Sequence, residues 1–213
     1  MMRKINKRIS KRFGNKSYAI VADGKTEAWY FQMMKQEENI LVKIVPELPD
    51  HKSLDALFDI VKNKSKEGYD KVYWIVDFDT FIKEDRECKK GKSSSLAKFN
   101  EYYKELKKRP NVEVLINDPC LEFWYLQHFT YCGRYYPTYN KLIKDLKKFM
   151  NDYEKTEKYY KQTNNIYKRL HPNLTKAIDN AKQLSKYNPD NPETPQAEIH
   201  KLVELLLKEK QDK

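Results

Sequence analysis

Short apolar runs rich in β-branched and aromatic residues alternate with segments of helical periodicity through residues 17–130. The runs predict β-strands, and the segments, with apolar residues every three or four positions, predict amphipathic helices. The predicted strands are residues 18–22, 41–45, 71–79 and 112–118. The predicted helices are residues 26–36 and 53–66, with Thr26 and Ser53 as N-caps, 95–108 and 121–129. This alternation favours crossover connections, so we expect an α/β fold with a four-stranded, mostly parallel sheet flanked by helices.

The chain divides into three parts by composition. Residues 1–16 contain seven Lys or Arg and no acid, which indicates a basic arm that either touches phosphate groups or is a solvated tail. Residues 17–130 contain the predicted sheet. Residues 131–213 are rich in Lys and Tyr and predict a helical C-terminal region packed on the same domain. Its last segment, residues 197–208, predicts an amphipathic helix.

Acidic residues follow two of the predicted strands where the strands end. Asp23 and Glu27 come after the first strand, and Asp77 and Asp79 end the third. Because the carboxyl ends of parallel strands meet at one edge of a sheet, we expect these side chains to lie close together. Residues two apart on a strand point the same way, so Asp77 and Asp79 are expected to share one ion. Gly24 allows a tight turn directly after Asp23.

Converging buried carboxylates need positive charge nearby. Oxygen-only ligands favour Mg²⁺ or Mn²⁺ over zinc, so the sequence predicts a Mg²⁺ or Mn²⁺ site at this edge of the sheet. The predicted metal ligands are Asp23, Glu27, Asp77 and Asp79. The alternative is structural, since acids are favoured at helix N-termini and Asp is a common turn former. Asn117 and Asp118 also stand at a predicted strand end.

The chain is strongly basic, with 42 Lys and Arg against 31 Asp and Glu and a formal net charge of +11. Such a charge favours nucleic acid as a partner, although a well-solvated, lysine-rich surface would have the same composition. Lys25, on the turn beside Asp23, is placed to contact a phosphate. The many tyrosines after residue 130 suit stacking on unpaired bases, or they form ordinary core.

Cysteine usage and hydropathy indicate where the chain works. Cys88, Cys120 and Cys132 show no CxxC spacing and leave one cysteine unpaired, which argues against a disulfide framework or a zinc site. The N-terminus has no apolar leader segment, and no apolar run approaches the ~20 residues that span a bilayer. We therefore expect a cytoplasmic protein with no membrane partner.

Three motifs together resemble the RloB family. They are VADGKTEAWYF (21–31), VDFDTF (76–81) and NDPCLEFWYLQHF (117–129). The segments AIDNAKQL (177–184) and NPETPQAEIHKLVELL (191–206) are also similar to that family, so the resemblance covers nearly the whole chain. It implies a Toprim domain, an α/β unit of four parallel strands with an acid after the first strand and a DxD motif after the third.

The resemblance assigns roles to the acidic residues. Asp23 takes the position of the first Toprim acid, where the family usually has Glu, and Glu27 matches the second acid of that motif. Asp77 and Asp79 match the DxD motif, and Glu122 matches an acid of the third motif. The predicted catalytic residues are thus Asp23, Glu27, Asp77, Asp79 and Glu122. The alternative for Glu122 is that it only caps its own helix.

Four residues are predicted to contact nucleic acid. The predicted set is Lys25, Lys92, His128 and Arg134. His128 matches the histidine of the third motif, and the alternative is a hydrogen-bonded structural residue.

Together these features predict a metal-dependent nuclease. The resemblance implies a defence effector against phage or foreign DNA. The basic, tyrosine-rich C-terminal region slightly favours RNA, with tRNA as one candidate, over DNA. Such an effector needs restraint, so a partner protein or a small-molecule activator is expected. The main alternative is a non-catalytic nucleic-acid-binding or regulatory subunit with a degenerate Toprim site. A nucleotidyl transferase is a third possibility, because one fold can support several chemistries.

Overall fold

The computed structural model describes residues 16–22, 24–40, 43–47, 53–87 and 94–211, and side chains in all of these ranges except 43–47 and residue 211. Several predictions fall outside these ranges. They concern Asp23, Lys92, Cys88 and all of the basic arm except Lys16.

The strands in the described part of the chain form one sheet in the order β2-β1-β3-β4-β5. They are β1 (Ser17–Ala22), β2 (Lys43–Glu47), β3 (Lys71–Asp77), β4 (Val112–Asp118) and β5 (Gln196–Ala197). The first four are parallel to their neighbours, and the two-residue β5 is antiparallel to β4. The α/β class and the four-stranded parallel sheet are therefore confirmed, with β5 as an addition at one edge.

The helices lie on both sides of this sheet. They are α1 (Lys25–Glu38), α2 (Leu54–Lys64), α3 (Asp79–Glu87), α4 (Ser95–Leu106), α5 (Leu121–Phe129), α6 (Tyr139–Leu146), α7 (Glu157–Lys161), α8 (Ile166–Leu170), α9 (Leu174–Lys182) and α10 (His200–Gln211). A 3₁₀ turn at His171–Asn173 joins α8 to α9. None of the helices in the described ranges is both long and apolar enough to cross a membrane.

Both faces of the sheet are covered. Tyr73 and Ile75 of β3 pack in one core with α1 and with α5 to α10. Val72, Trp74 and Val76 pack in the other core with α2, α3 and α4. Alternate residues of a strand point to opposite faces, so the continuous apolar run of β3 is what a strand buried on both sides requires.

Strand β3 ends two residues earlier than predicted. Asp77 is its last residue, and Asp79 is the first residue of α3. The chain leaves the strand because the backbone N–H of Phe78 lies 3.0 Å from the carbonyl of Asn117 and 2.9 Å from that of Pro119, and Asp79 N–H donates to Pro119 as well. The prediction that strand alternation aligns Asp77 with Asp79 was therefore wrong.

Of the two predicted helix N-caps, one is confirmed and the other is wrong. Ser53 caps α2 as predicted, accepting a hydrogen bond from Ala56 N–H at 3.3 Å. Thr26 is not the cap of α1, because the helix begins at Lys25 and its N-cap is Gly24, in extended backbone without a side-chain cap. The terminal helix begins at His200, a few residues later than predicted, since Gln196–Ala197 pair with β4 instead.

Most tyrosines of the C-terminal region belong to the core. Six of the nine between residues 131 and 187 are buried, which favours the core alternative over a broad stacking surface. The six are Tyr136, Tyr153, Tyr159, Tyr160, Tyr167 and Tyr187. Tyr160 packs on Trp29 and Tyr167 on Tyr30, so these rings fix the C-terminal helices against α1.

Candidate active site

Four acidic residues gather at the carboxyl ends of β1, β3 and β4. Asp77 ends β3, Asp79 begins α3, and Glu27 and Glu122 lie in the first turns of α1 and α5. Their charges act on one another. Burial, followed by the charges of Glu27 and Glu122, raises the pKa of Asp77 well above its ordinary value. The structure thus brings together the four predicted acids that lie within the described residues.

Glu27 is almost fully enclosed, with 3 % of its surface exposed. Burial raises the pKa of its carboxyl to about 7, and the charge of Glu122 adds to this effect while Lys155 opposes it. The hydroxyl of Thr26 donates to Glu27 Oε2 at 3.2 Å. Glu27 therefore holds its proton near neutral pH unless a cation balances its charge.

Backbone groups hold the two aspartates. Asp77 Oδ1 accepts from the backbone N–H of Leu121 at 3.0 Å, which ties the end of β3 to the start of α5. Asp79 Oδ2 accepts from the backbone N–H of Tyr139 at 3.4 Å, at the start of α6. Burial raises the pKa of Asp79 as well, against the lowering effect of its hydrogen bonds and of Lys155.

Glu122 is fully buried and has two partners that sequence reasoning missed. Its Oε1 accepts from the Tyr153 hydroxyl at 2.6 Å and pairs with Lys155 Nζ at 2.9 Å. Its Oε2 is buried and has no hydrogen-bond partner among the described residues. Burial by itself would lower the pKa of Lys155, but Glu122 and other acidic neighbours outweigh it and raise that pKa. No spacing in the Lys- and Tyr-rich sequence around residue 155 distinguishes this lysine from its neighbours.

Asn117 is a further polar side chain beside this cluster. It is directly in register with Asp77 in the parallel β3–β4 pair. It follows Leu115 by two residues, so its side chain lies on the face of the sheet that packs against α1 and α5. The amide is fully buried, and neither its nitrogen nor its oxygen has a partner among the described residues. Buried polar groups are nearly always paired, so this amide is available to a ligand.

The sequence matches the family described as RloB-like protein over residues 18–206. The chain belongs to the RloB-like family. No curated protein and no solved structure matches it significantly. The matched region of this RloB-like chain includes the acidic cluster and the segment that supplies Tyr153 and Lys155.

The donor chemistry of this RloB-like site fits Mg²⁺ or Mn²⁺. Its side chains offer oxygen ligands, and Glu122 Oε2 and Asn117 Oδ1 are buried oxygens without partners among the described residues. The charges that act on Asp77 are three carboxylates and one lysine, which leaves an excess of negative charge. Within the described ranges no three His, Cys, Asp or Glu side chains form a group that could hold a metal ion by themselves. Asp23, a predicted ligand, lies outside those ranges.

The residues predicted to bind nucleic acid differ in their exposure, and Lys92 lies outside the described residues. Lys25 is exposed at the start of α1, beside Glu27. Arg134 has 67 % of its side chain exposed, lies 4.9 Å from the centre of the Tyr136 ring and pairs with Asp145 at 3.4 Å. Both are on the surface, as contact with phosphate requires.

His128 disagrees with its predicted role. Its ring is fully buried, with Nδ1 3.0 Å from the Trp124 carbonyl oxygen and the ring edge against the Trp124 indole. Burial lowers the pKa of His128 to about 3, so the ring is neutral. A ring without exposed surface cannot contact nucleic acid, and its position matches the structural alternative.

Gly24→Ala is expected to impair metal binding while leaving the fold intact. A Cβ at residue 24 would lie 2.6 Å from Glu27 Oε2, so the carboxylate must move. The extended backbone of Gly24 accepts alanine without strain, so we expect a loss of stability below about 1 kcal/mol. Glu27 is a predicted metal ligand, so displacing its carboxylate should weaken Mn²⁺ binding at least about tenfold. Isothermal titration with Mn²⁺ measures this.

Gly133→Ala is the matched control for that experiment. Its Cβ would lie 3.0 Å from the hydroxyl of Tyr131, a mobile side-chain end outside the acidic cluster. Gly133→Ala should change neither the affinity for Mn²⁺ nor the stability of the fold appreciably. Equal Mn²⁺ affinity in Gly24→Ala and the native protein would remove Glu27 from the ligand set.

The raised pKa of Glu27 predicts a pH dependence of stability. The folded protein holds this proton up to about pH 7, whereas the unfolded chain releases it near the ordinary glutamate pKa of 4.5. Folding is therefore most favoured below about pH 4.5, and this contribution is lost as pH rises through about 7, by up to about 3 kcal/mol. Urea unfolding in a chelator between about pH 5 and 8 should show a flatter pH profile for Glu27→Gln than for the native protein. Identical profiles would contradict the assignment.

Proposed function

We propose that this RloB-like protein is a Mg²⁺- or Mn²⁺-dependent nuclease with a Toprim-like catalytic sheet. It would cleave phosphodiester bonds of RNA, with tRNA as one candidate, or of DNA, as an effector of prokaryotic defence. The observation that carries the proposal is the gathering of Glu27, Asp77, Asp79 and Glu122 at the strand ends. Burial raises the pKa values of Glu27, Asp77 and Asp79, and carboxyl groups with raised pKa values cluster at functional sites.

The ligands proposed for the metal are Glu27, Asp77 and Asp79, together with Asp23. A divalent cation bound there supplies charge that stabilises the phosphoryl group as it is transferred. Glu122 is the proposed proton acceptor for the attacking water, because its Oε2 is buried beside the aspartates without a partner among the described residues. Hydrogen bonds from Tyr153 and Lys155 to Oε1 hold the carboxylate in place.

Lys155 and Lys25 are proposed to contact the phosphate groups. Lys155 has 39 % of its side chain exposed although its Nζ reaches the fully buried Glu122, so it bridges the cluster and the solvent. Lys25 lies on the surface two residues before Glu27. A cation that faces both the carboxylates and the solvent can hold a phosphate in position for attack.

The surface beside the cluster supports a nucleic-acid partner. Helix α6 starts at Tyr139, whose N–H donates to Asp79, so it begins at the site. Exposed lysines follow along α6 and the turn after it, and Phe149 and Tyr131 expose about half of their surface nearby in sequence. The exposed lysines are Lys141, Lys144, Lys147 and Lys148. Positive charge with exposed aromatic rings suits a single strand with unpaired bases.

The second candidate function is a non-catalytic, nucleic-acid-binding or regulatory subunit. The observation that favours it is the lack, within the described ranges, of a three-residue cluster able to hold a metal. Asp in place of the usual Glu at position 23 points the same way. Such a subunit would bind nucleic acid with a steep salt dependence and without any need for metal.

End sequencing separates the two functions. RNA and DNA would be extracted from cells that express either the native protein or Asp77→Ala/Asp79→Ala, and the 5′ and 3′ ends compared. The nuclease proposal expects new ends that depend on both aspartates and that purified protein reproduces with Mg²⁺ or Mn²⁺. Protection or toxicity that persists in the variant, without new ends, would favour the binding subunit. A partner or small-molecule activator from a defence locus would be added to the purified reaction.

A further inference from the structure

The paired ends of β4 and β5 bury polar atoms on the other face of the sheet. Asp118 and Gln196 are directly opposite each other in this antiparallel pair, so their side chains lie on one face with Cβ atoms about 5 Å apart. Asp118 follows Val114 and Ile116 in alternation, which places it on the face that packs against α4. Asp77 and Asn117 lie on the opposite face, so this polar pair is distinct from the acidic cluster.

These atoms lack hydrogen-bond partners. Asp118 is 1 % exposed and Gln196 is fully buried. Both carboxylate oxygens of Asp118 and Oε1 of Gln196 have no partner within the described residues. Gln196 Nε2 donates one N–H to Thr194 Oγ1 at 3.0 Å, whereas the amide oxygen Oε1 has no donor among the described residues. A carboxylate and an amide oxygen are both acceptors and cannot satisfy each other, so something between them must be positive or must donate.

The charged side chains near Asp118 do not supply the positive or hydrogen-bond-donating group that these acceptors need. Arg86 is the cation whose charge acts on Asp118, but its guanidinium donates to Glu193 at 2.6 Å. Asp79 and Glu193 both add negative charge near Asp118. The backbone N–H of Asp79 donates to Pro119 at 3.0 Å, which holds this second carboxylate next to the end of β4.

We propose that Asp118, Gln196 and Asp79 form a second site, which binds a hard divalent cation such as Mg²⁺ or Mn²⁺ through oxygen ligands. The ion joins β5 to the end of β4 and to the start of α3. It thereby holds the segment before α10, where Glu198 already exchanges hydrogen bonds with the backbone of Ile116. The second site shares Asp79 with the first, but it rests on the unpaired atoms of Asp118 and Gln196 and does not need the nuclease reaction.

A proton is the competing occupant. Burial, followed by the charges of Asp79 and Glu193, raises the pKa of Asp118 to about 8, so a protonated carboxyl could donate to Gln196 Oε1. The two occupants predict opposite responses to added negative charge. A cation site binds its ion more tightly when a neutral ligand becomes a carboxylate, whereas a shared proton gives no such gain.

Gln196→Glu tests this with Mn²⁺ as the probe. The background is Glu27→Gln/Asp77→Asn, which removes the first proposed metal site and keeps Asp79. In that background we expect one bound Mn²⁺ per protein. Electron paramagnetic resonance measures the free ion, and the bound ion is obtained by difference. Gln196→Glu should lower the Tm in chelator, and added Mn²⁺ should restore the Tm. The variant should also bind Mn²⁺ at least about tenfold more tightly than the background protein.

Gln127→Glu is the matched control. Gln127 is equally buried, but its amide is satisfied at both ends by the backbone of Cys132, at 2.9 and 3.2 Å. Its Tm should fall and Mn²⁺ should not restore it. If Gln196→Glu does not fold, Asp118→Asn takes its place, with a higher Tm in chelator and loss of the Mn²⁺ ion expected. No bound Mn²⁺ in the background protein, or equal affinity with and without Gln196→Glu, would overturn the second site whatever the first site does.

Discussion

Asp77→Asn is expected to reduce metal-dependent cleavage by about a thousandfold or more while making the metal-free protein more stable. Asp77 lies among Glu27, Glu122 and Asp79, and burial and these charges together raise its pKa. Replacing its carboxylate with an amide removes repulsion in the empty site. The same change removes a proposed ligand, so activity and stability move in opposite directions.

Two measurements check the Asp77 prediction. Single-turnover cleavage with Mg²⁺ gives the rate, and urea unfolding in chelator gives the stability. Asp70→Asn is the matched control, because Asp70 lies just before the amino end of β3, where its carboxylate accepts from Ser17 N–H at 2.8 Å. It should leave cleavage unchanged and lower stability slightly. A cleavage rate that survives Asp77→Asn would exclude this cluster as the catalytic centre.

The main features of the sheet could be predicted because its signals are local. β4 and α5 have the predicted bounds, since the run VEVLIND and the helix-forming segment after Pro119 are self-contained. The end of β3 could not be predicted. VDFDTF continues the strand pattern, but hydrogen bonds from Phe78 and Asp79 to Pro119, some forty residues later, turn the chain into α3. A contact so distant in sequence leaves no trace in local periodicity.

The acidic half of the candidate site was predictable for a similar reason. The strand ends of a parallel sheet meet at one edge, and the proximity of Asp77 to Glu27 follows from that rule alone. Glu122 needed the family resemblance. Its partners Tyr153 and Lys155 could not be found, because they come from a segment with no regular spacing and are selected only by tertiary packing. Whether Asp23 completes the site remains a prediction, as the residue lies outside the described ranges.

The basic, tyrosine-rich composition of the C-terminal region was a poor guide to a stacking surface, but it is informative about the core. Most of these tyrosines are core residues, and Tyr125, Tyr153 and Tyr160 even share hydroxyl contacts inside it. Burying phenol groups requires partners, which explains why they cluster and why they reach Glu122. Composition alone therefore overstated the stacking surface, which in the described part of the chain reduces to the exposed Tyr131 and Phe149.

Lys155→Met is expected to destabilise the metal-free protein by about 2 kcal/mol. It leaves Glu122 fully buried without the cation at 2.9 Å, and breaking a buried pair is costly, although the 39 % exposure of Lys155 reduces the loss. Urea unfolding in chelator near neutral pH measures the change. Lys161→Met is the control, because its pair with Glu157 at 2.7 Å is a surface i,i+4 contact worth at most about 0.5 kcal/mol.

The double variant Lys155→Met/Glu122→Gln locates the origin of the effect. If the loss comes from an uncompensated carboxylate, the added Glu122→Gln restores most of the stability, because no buried charge remains. Mn²⁺ should stabilise Lys155→Met more than the native protein, since an ion in the cluster replaces the missing positive charge. A loss of stability that neither Mn²⁺ nor Glu122→Gln reduces would mean that Lys155 acts through its cation–π contact with the Tyr139 ring, 4.2 Å from Nζ to the ring centre, and not through its pair with Glu122.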